Sequence, residues 1–148
     1  MPGGDGTAPG DELVFPAGAC FGCSPTNASG LRLRFYRAGD GVVCPTTVPS
    51  TYQGAPEVVH GGIQAVLLDE TCCAAAFFTT GRYVVTGELA LRYQRPCPVG
   101  RPLVVRARIA GDAGRYLVIR GEICEAEGTE VLTTAEGKFF PQGPRGGP

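Results

Sequence analysis

Residues 61–78 run almost without interruption through isoleucine, valine, leucine, cysteine, alanine and phenylalanine, and contain no proline. Alanine and leucine favour the helix, so this stretch predicts one helix of about 27 Å at 1.5 Å per residue. Its apolar residues fall on every side. A helix of that kind cannot simply lie on a surface and has to be wrapped. Elsewhere the pattern changes period. Residues 31–37 alternate apolar with basic side chains, as a half-exposed strand does. Residues 42–48 form a shorter candidate strand, placed at a sheet edge because Pro45 interrupts it. Four segments rich in Val, Ile, Leu, Tyr and Phe follow, at 83–94, 103–110, 116–125 and 130–140. The breaks between them carry Pro96, Pro98 and Gly100, then Gly111 and Gly114, then Gly128, which is turn chemistry. Connections this short predict antiparallel neighbours. The expected architecture is α+β: a curved antiparallel sheet around one long central helix.

Composition narrows the class. A chain of 148 residues fits one domain, taken as 13–140, with Gly- and Pro-rich tails at 1–12 and 141–148 expected to be disordered. Thirteen basic and fourteen acidic side chains leave no broad basic face, so nucleic acid is not an expected partner. No uninterrupted apolar run approaches about 18 residues, and the first twelve lack the basic-then-apolar order of an export signal. A cytoplasmic protein without a membrane span is expected. The seven cysteines are odd in number and include adjacent Cys72 and Cys73, which favours reading most of them as reduced, buried thiols over a disulfide framework. Cys20-x-x-Cys23 would need two further ligands to hold zinc, and Cys44, Cys97 and Cys124 lack paired spacing, so no metal is expected. With one histidine, one lysine and no G-x-S-x-G elbow, the usual zinc-protease, phosphate-loop and serine-hydrolase kits are missing.

Two carboxylates stand out. Asp69 and Glu70 lie more than two turns into the apolar helix, beyond the reach of dipole compensation, and no Lys or Arg within the helix can pair with them. An unpaired buried carboxylate costs several kcal/mol, so something other than stability retains one there. At 100° per residue Asp69 shares its face with Ala65, Cys72, Cys73 and Ala76, a stripe of small side chains that leaves room for a ligand. Glu70 lies nearer Ile63, Val66, Ala74 and Phe77, the bulkier packing side. Asp69 is therefore the preferred working acid, with Glu70 or a structural role as alternatives. His60-Gly61-Gly62 opens the helix. Free N–H groups at a helix start favour developing negative charge, and glycine lets a ligand approach the backbone, which is the physics of an oxyanion hole. His60 suits a capping role, with a general base as the alternative.

The residues Cys20-Phe21-Gly22-Cys23, Gly30-Leu31-Arg32-Leu33-Arg34-Phe35, Tyr52-Gln53-Gly54, His60-Gly61-Gly62, Leu68-Asp69-Glu70 and Tyr93-Gln94-Arg95-Pro96 together resemble the hotdog-fold acyl-CoA thioesterases, in particular the phenylacetate-pathway group. The resemblance spans about residues 20–140. It implies a sheet wrapped around the helix, a homodimer with active sites at the subunit interface, and pairing of dimers into tetramers. Gly61 would correspond to the glycine whose N–H polarises the thioester carbonyl, His60 to the histidine supporting that loop, Asp69 to the catalytic acid, and Thr86 to a hydroxyl that holds the attacking water. Gln53, Gly62, Glu70 and Cys73 would lie on the substrate side. Glu57 stands where the family more often has glycine. The implied substrate is an acyl- or aryl-thioester of coenzyme A or of a carrier-protein pantetheine arm, with no cofactor. A non-catalytic acyl-CoA binder and a hotdog dehydratase or hydratase are the rival readings. Phe77, Phe78, Tyr83 and Tyr93 are expected in the core.

Overall fold

A computed structural model describes residues 10–143. The chain forms β1 (Glu12–Leu13), β2 (Phe35–Ala38), β3 (Gly41–Thr46), α1 (Gly61–Thr80), β4 (Val84–Tyr93), β5 (Leu103–Asp112), β6 (Leu117–Glu125) and β7 (Val131–Pro141). All strands belong to one sheet in the order β1-β2-β3-β5-β6-β7-β4, and every neighbouring pair is antiparallel. The helix packs along the inner face of β3, β4, β5, β6 and β7. The sheet-around-helix expectation is met.

Helix α1 starts where His60 supplies its ring nitrogen to the Gly62 N–H, and stops at Gly81, whose φ of 75° is the left-handed conformation glycine adopts without strain. Arg37 Nη2 donates to the Phe78 carbonyl at 2.8 Å, placing a cation at the negative end of the helix. By length and apolar composition α1 would suffice to cross a bilayer. Run length alone therefore does not exclude a span; enclosure by the sheet accounts for the apolar character here.

A row of small residues seats the helix. Ala107, Gly121 and Ala135 lie opposite one another on β5, β6 and β7, with Val42 and Leu91 at the ends of the row. A Cβ at Gly121 would stand 3.2 Å from Leu68 Cδ2 and 3.3 Å from Cys72 Sγ. The hollow is thus filled from the helix side. At the helix start Gln64, almost fully buried, donates to the Val59 carbonyl at 2.9 Å and accepts from the Thr133 hydroxyl, tying α1 to β7. Both polar atoms are satisfied, as burial demands.

Four expectations change. Residues 31–34 are not strand: Arg32 has a φ of 51°, and Leu31 and Leu33 donate instead to the carbonyls of Phe21 and Gly22. Residues 42–48 are not at an edge, since β3 lies between β2 and β5. Pro45 is tolerated because β2 pairs only with Gly41, Val42 and Val43, so the proline faces no ladder on that side. β4 and β5 are not neighbours. The proline-rich connection leads from the outer edge back to the middle of the sheet, with Cys97 accepting from the Val59 N–H and Gly100 donating to Val48. Finally, β1 draws residues 10–12 into the sheet, with Gly10 bonded to Arg37 and Glu12 paired to Arg34 at 2.7 Å, and β7 extends to Pro141. The remainder of the expected tails, 1–9 and 144–148, lies outside the described residues.

Gly121→Val should destabilise the domain by about 1–3 kcal/mol, because the helix cannot retreat from the sheet without losing contacts elsewhere. Urea denaturation should show a lower midpoint with an unchanged slope; an unchanged midpoint would show that the small-residue row does not set the helix position.

Candidate active site

Asp69 sits on the side of α1 that faces β4, half-buried. Its Oδ1 accepts a hydrogen bond of 2.6 Å from Thr86 Oγ1, and Cys73 Sγ lies 3.8 Å from the same hydroxyl. A bulge produces this arrangement. The β4–β7 register runs from Thr86 opposite Phe139 to Glu88 opposite Lys138, leaving Gly87 as an extra residue. Before the bulge Val84 and Thr86 face the helix; after it Leu89 and Leu91 do. Without the extra residue, alternation would turn either Thr86 or the two leucines outward. A Cβ at Gly87 would fall 2.3 Å from the Phe140 ring, so any larger residue in the bulge would have to push that ring aside.

None of the ion pairs among the described residues includes Asp69 or Glu70. The carboxylate of Asp69 is held by a hydroxyl, not cancelled by a cation. Burial pushes the Cys73 thiol up to about 12, and the Asp69 charge adds to this, so Cys73 is a neutral neighbour at pH 7. Glu70 points elsewhere. It accepts from Cys20 Sγ at 3.2 Å, and a side chain at Gly22 would collide with it at 2.3 Å. Burial raises its carboxyl above the ordinary value, with the thiol hydrogen bond opposing and the Asp69 charge reinforcing the shift. Glu70 therefore belongs to the contact between α1 and the 20–24 turn.

The second group of expected site residues gathers at the helix start. His60 Nδ1 accepts from the Gly62 N–H at 2.9 Å, which confirms the capping geometry and removes that N–H from other use. Among the described residues the Gly61 N–H donates to no acceptor. Gln53 does not reach toward Asp69; its Oε1 accepts from the Glu57 N–H at 3.1 Å. Glu57 has a φ of 67°, the conformation a glycine adopts freely. The loop thus keeps a left-handed turn despite the non-glycine residue, at a cost of roughly 1–2 kcal/mol that the Gln53 bond helps to offset. A cleft of about 580 Å³ opens here, with Gly54, His60, Gly61, Gly62, Tyr93 and Arg95 in its walls.

Tyr93 was not singled out for this site by the sequence pattern, which places it in the core. It is exposed, and its hydroxyl donates to the Gly61 carbonyl at 2.9 Å, fixing the peptide beside the free N–H. Nothing in a period-two pattern separates a strand's last, outward aromatic from its inward ones. Phe77, Phe78 and Tyr83 do pack together, joined by Phe15 with ring centroids 4.7–6.4 Å from it. Arg95, Arg101 and Arg106 form ion pairs with Glu130, Glu125 and Glu122 on the surface.

Eight residues separate Gly61 from Asp69, about 12 Å along the helix axis.

A family model of the thioesterase superfamily matches residues 57–132. The acyl-coenzyme A thioesterase THEM4 of Rattus norvegicus is 30% identical over 111 residues, covering 74% of this chain and 47% of that protein. The chain spans less than half the length of each curated relative it matches, the Xenopus laevis and Bos taurus THEM4 proteins included. Among solved structures, one thioesterase superfamily protein aligns at a TM-score of 0.73 with 31% identity, covering 82% of this chain and 59% of its own. The E. coli PaaI protein from the phenylacetic acid degradation operon aligns at 0.69 with 19% identity, covering 78% and 83%. The matched residues take in the glycine-led helix start, the mid-helix acid and the bulged strand, and with them the chain belongs to the thioesterase superfamily.

Proposed function

We propose that this protein hydrolyses acyl- or aryl-thioesters of coenzyme A, or of a carrier-borne pantetheine arm, at sites shared between two copies of the chain. The observation that carries this reading is a half-buried carboxylate in the middle of an apolar helix, oriented by one hydroxyl and paired with no cation among the described residues. Asp69 Oδ1 is engaged by Thr86, so Oδ2 is left to accept a proton from water. That water attacks the thioester carbonyl carbon. The Gly61 N–H, at the positive end of α1, receives the oxyanion that develops on the carbonyl oxygen. Collapse breaks the carbon–sulfur bond, and the departing thiolate takes the proton held by Asp69.

Two features support a shared site. The first is the 12 Å or so between Gly61 and Asp69 within one chain. The second is β4, a ten-residue strand at the end of the sheet whose outer edge is unpaired among the described residues, with Val85 exposed on it. Long open edges invite pairing. Antiparallel pairing of β4 with a second β4 would extend the sheet and set the Thr86 end of one strand beside the Tyr93 end of the other. Asp69 of one subunit would then approach Gly61 of its partner. Substrate would enter through the cleft beside Tyr93.

Asp69→Asn should lower kcat by about 10²–10⁴-fold, the usual loss when acid–base help is removed, while the dimer persists by sedimentation. Release of coenzyme A thiol across a panel of acyl-CoAs is the measurement; turnover equal to the unmodified protein would dismiss Asp69 from the reaction. Sharing of sites has its own test. Gly61→Pro deletes the N–H yet fits the first helical position, because His60 already has the extended backbone a following proline demands (φ −52°, ψ 136°). Each variant alone should be nearly inactive. Unfolded together and refolded, they should recover about a quarter of the unmodified activity, since half the dimers are mixed and each mixed dimer holds one intact site. No recovery would place both groups in sites built within a single chain.

A further inference from the structure

Next to the Asp69–Thr86 pair, the 20–24 turn lies against the neighbouring flank of α1 and brings three potential ligands together. Cys20 Sγ, Cys23 Sγ and a carboxylate oxygen of Glu70 all lie within 4.8 Å of one another. We propose that Cys20, Cys23 and Glu70 form a binding site for a thiophilic divalent cation, zinc above all, with water completing a tetrahedral shell.

The donors fit such an ion. Two sulfurs and one carboxylate oxygen suit zinc, which accepts S, N and O ligands and leaves its fourth position to solvent in open sites. Ligand atoms around tetrahedral zinc stand about 3.5–3.8 Å apart, given Zn–S near 2.3 Å and Zn–O near 2.0 Å. The 3.2 Å between Cys20 Sγ and Glu70 Oε1 needs only a slight opening to reach this spacing. The turn itself is built for a sulfur ligand. The Gly22 N–H donates to Cys20 Sγ at 3.3 Å, which fixes the position of the sulfur beside Glu70. Gly22 also leaves space for the Glu70 side chain, which a Cβ there would strike.

Glu70 is half-buried, and no Arg, Lys or His lies within ion-pair distance of it among the described residues. Three potential ligand atoms face one another with no cation between them among the described residues. The backbone holds them in place independently of any ion: Leu31 and Leu33 donate to the carbonyls of Phe21 and Gly22, and Ser24 donates to Cys20. The C-x-x-C spacing suggested only two ligands. The third arrives from fifty residues away, through the packing of α1.

The site is independent of the hydrolytic reading, and its test does not rely on turnover. The full chain, purified in reductant, would be dialysed against buffered zinc and its bound metal measured by plasma mass spectrometry. Cobalt loading would be followed by sulfur-to-cobalt charge-transfer absorption. The unmodified protein should hold one zinc per chain and show that absorption. Cys20→Ser/Cys23→Ser should lose both, and Cys124→Ser should retain both. Glu70→Gln should weaken zinc by more than the roughly 10–100-fold that loss of an outer-sphere partner costs. Zinc far below one per chain in the unmodified protein, or equal zinc in the double serine variant with its circular dichroism unchanged, would overturn the proposal.

Discussion

A helix with apolar residues on every side has to be enclosed, and one sheet can enclose only part of it. This constraint organises the molecule. The sheet meets α1 along Ala107, Gly121 and Ala135, a row small enough for Leu68 and Cys72 to settle into. What the sheet covers is closely packed and nearly free of charge. What it leaves half-covered carries Asp69, Glu70 and Cys73. The acids sit at the boundary between enclosed and open, where a carboxylate can remain in an apolar helix without an ion pair.

On one side of that boundary the bulged strand supplies Thr86; on the other the Cys20–Cys23 turn reaches Glu70. Adjacent acids thus have separate partners and separate surroundings. Asp69 meets a hydroxyl donor on the β4 flank. Glu70 meets a thiol and is pushed toward its neutral form by burial. Two neighbouring carboxylates on one helix can serve different purposes because consecutive residues point about 100° apart and face different elements.

The helix start is a second product of enclosure. The loop before α1 is bound to the connection between β4 and β5 by Val59 to Cys97 and Val99 to Glu57. It is closed from within by Gln53 and from above by Tyr93. These bonds leave the Gly61 N–H as an available donor beside a cleft while His60 occupies the next one. The proposed sharing of sites between two copies rests on the distance from this donor to Asp69 and on the edge position of β4 among the described strands.

Much of this was legible in the order of residues. The helix, the four long strands, the antiparallel sense and the anomalous acids follow from periodicity and from the cost of burying charge, and both are local properties. His60 as cap was readable for the same reason, since its partner lies two residues away. Where β3 lies, why Pro45 is harmless there, and how the connection after β4 returns to the centre depend on strand order, which periodicity does not encode. The bulge at Gly87 was invisible because one added residue leaves the apolar content of β4 unchanged while reversing which face each side chain meets. Tyr93 on Gly61 and Cys20 on Glu70 join residues thirty-two and fifty positions apart. Sequence determined which groups were chemically out of place; only the tertiary structure decided what stands opposite them, because that is set by the packing of a helix against strands distant in the chain.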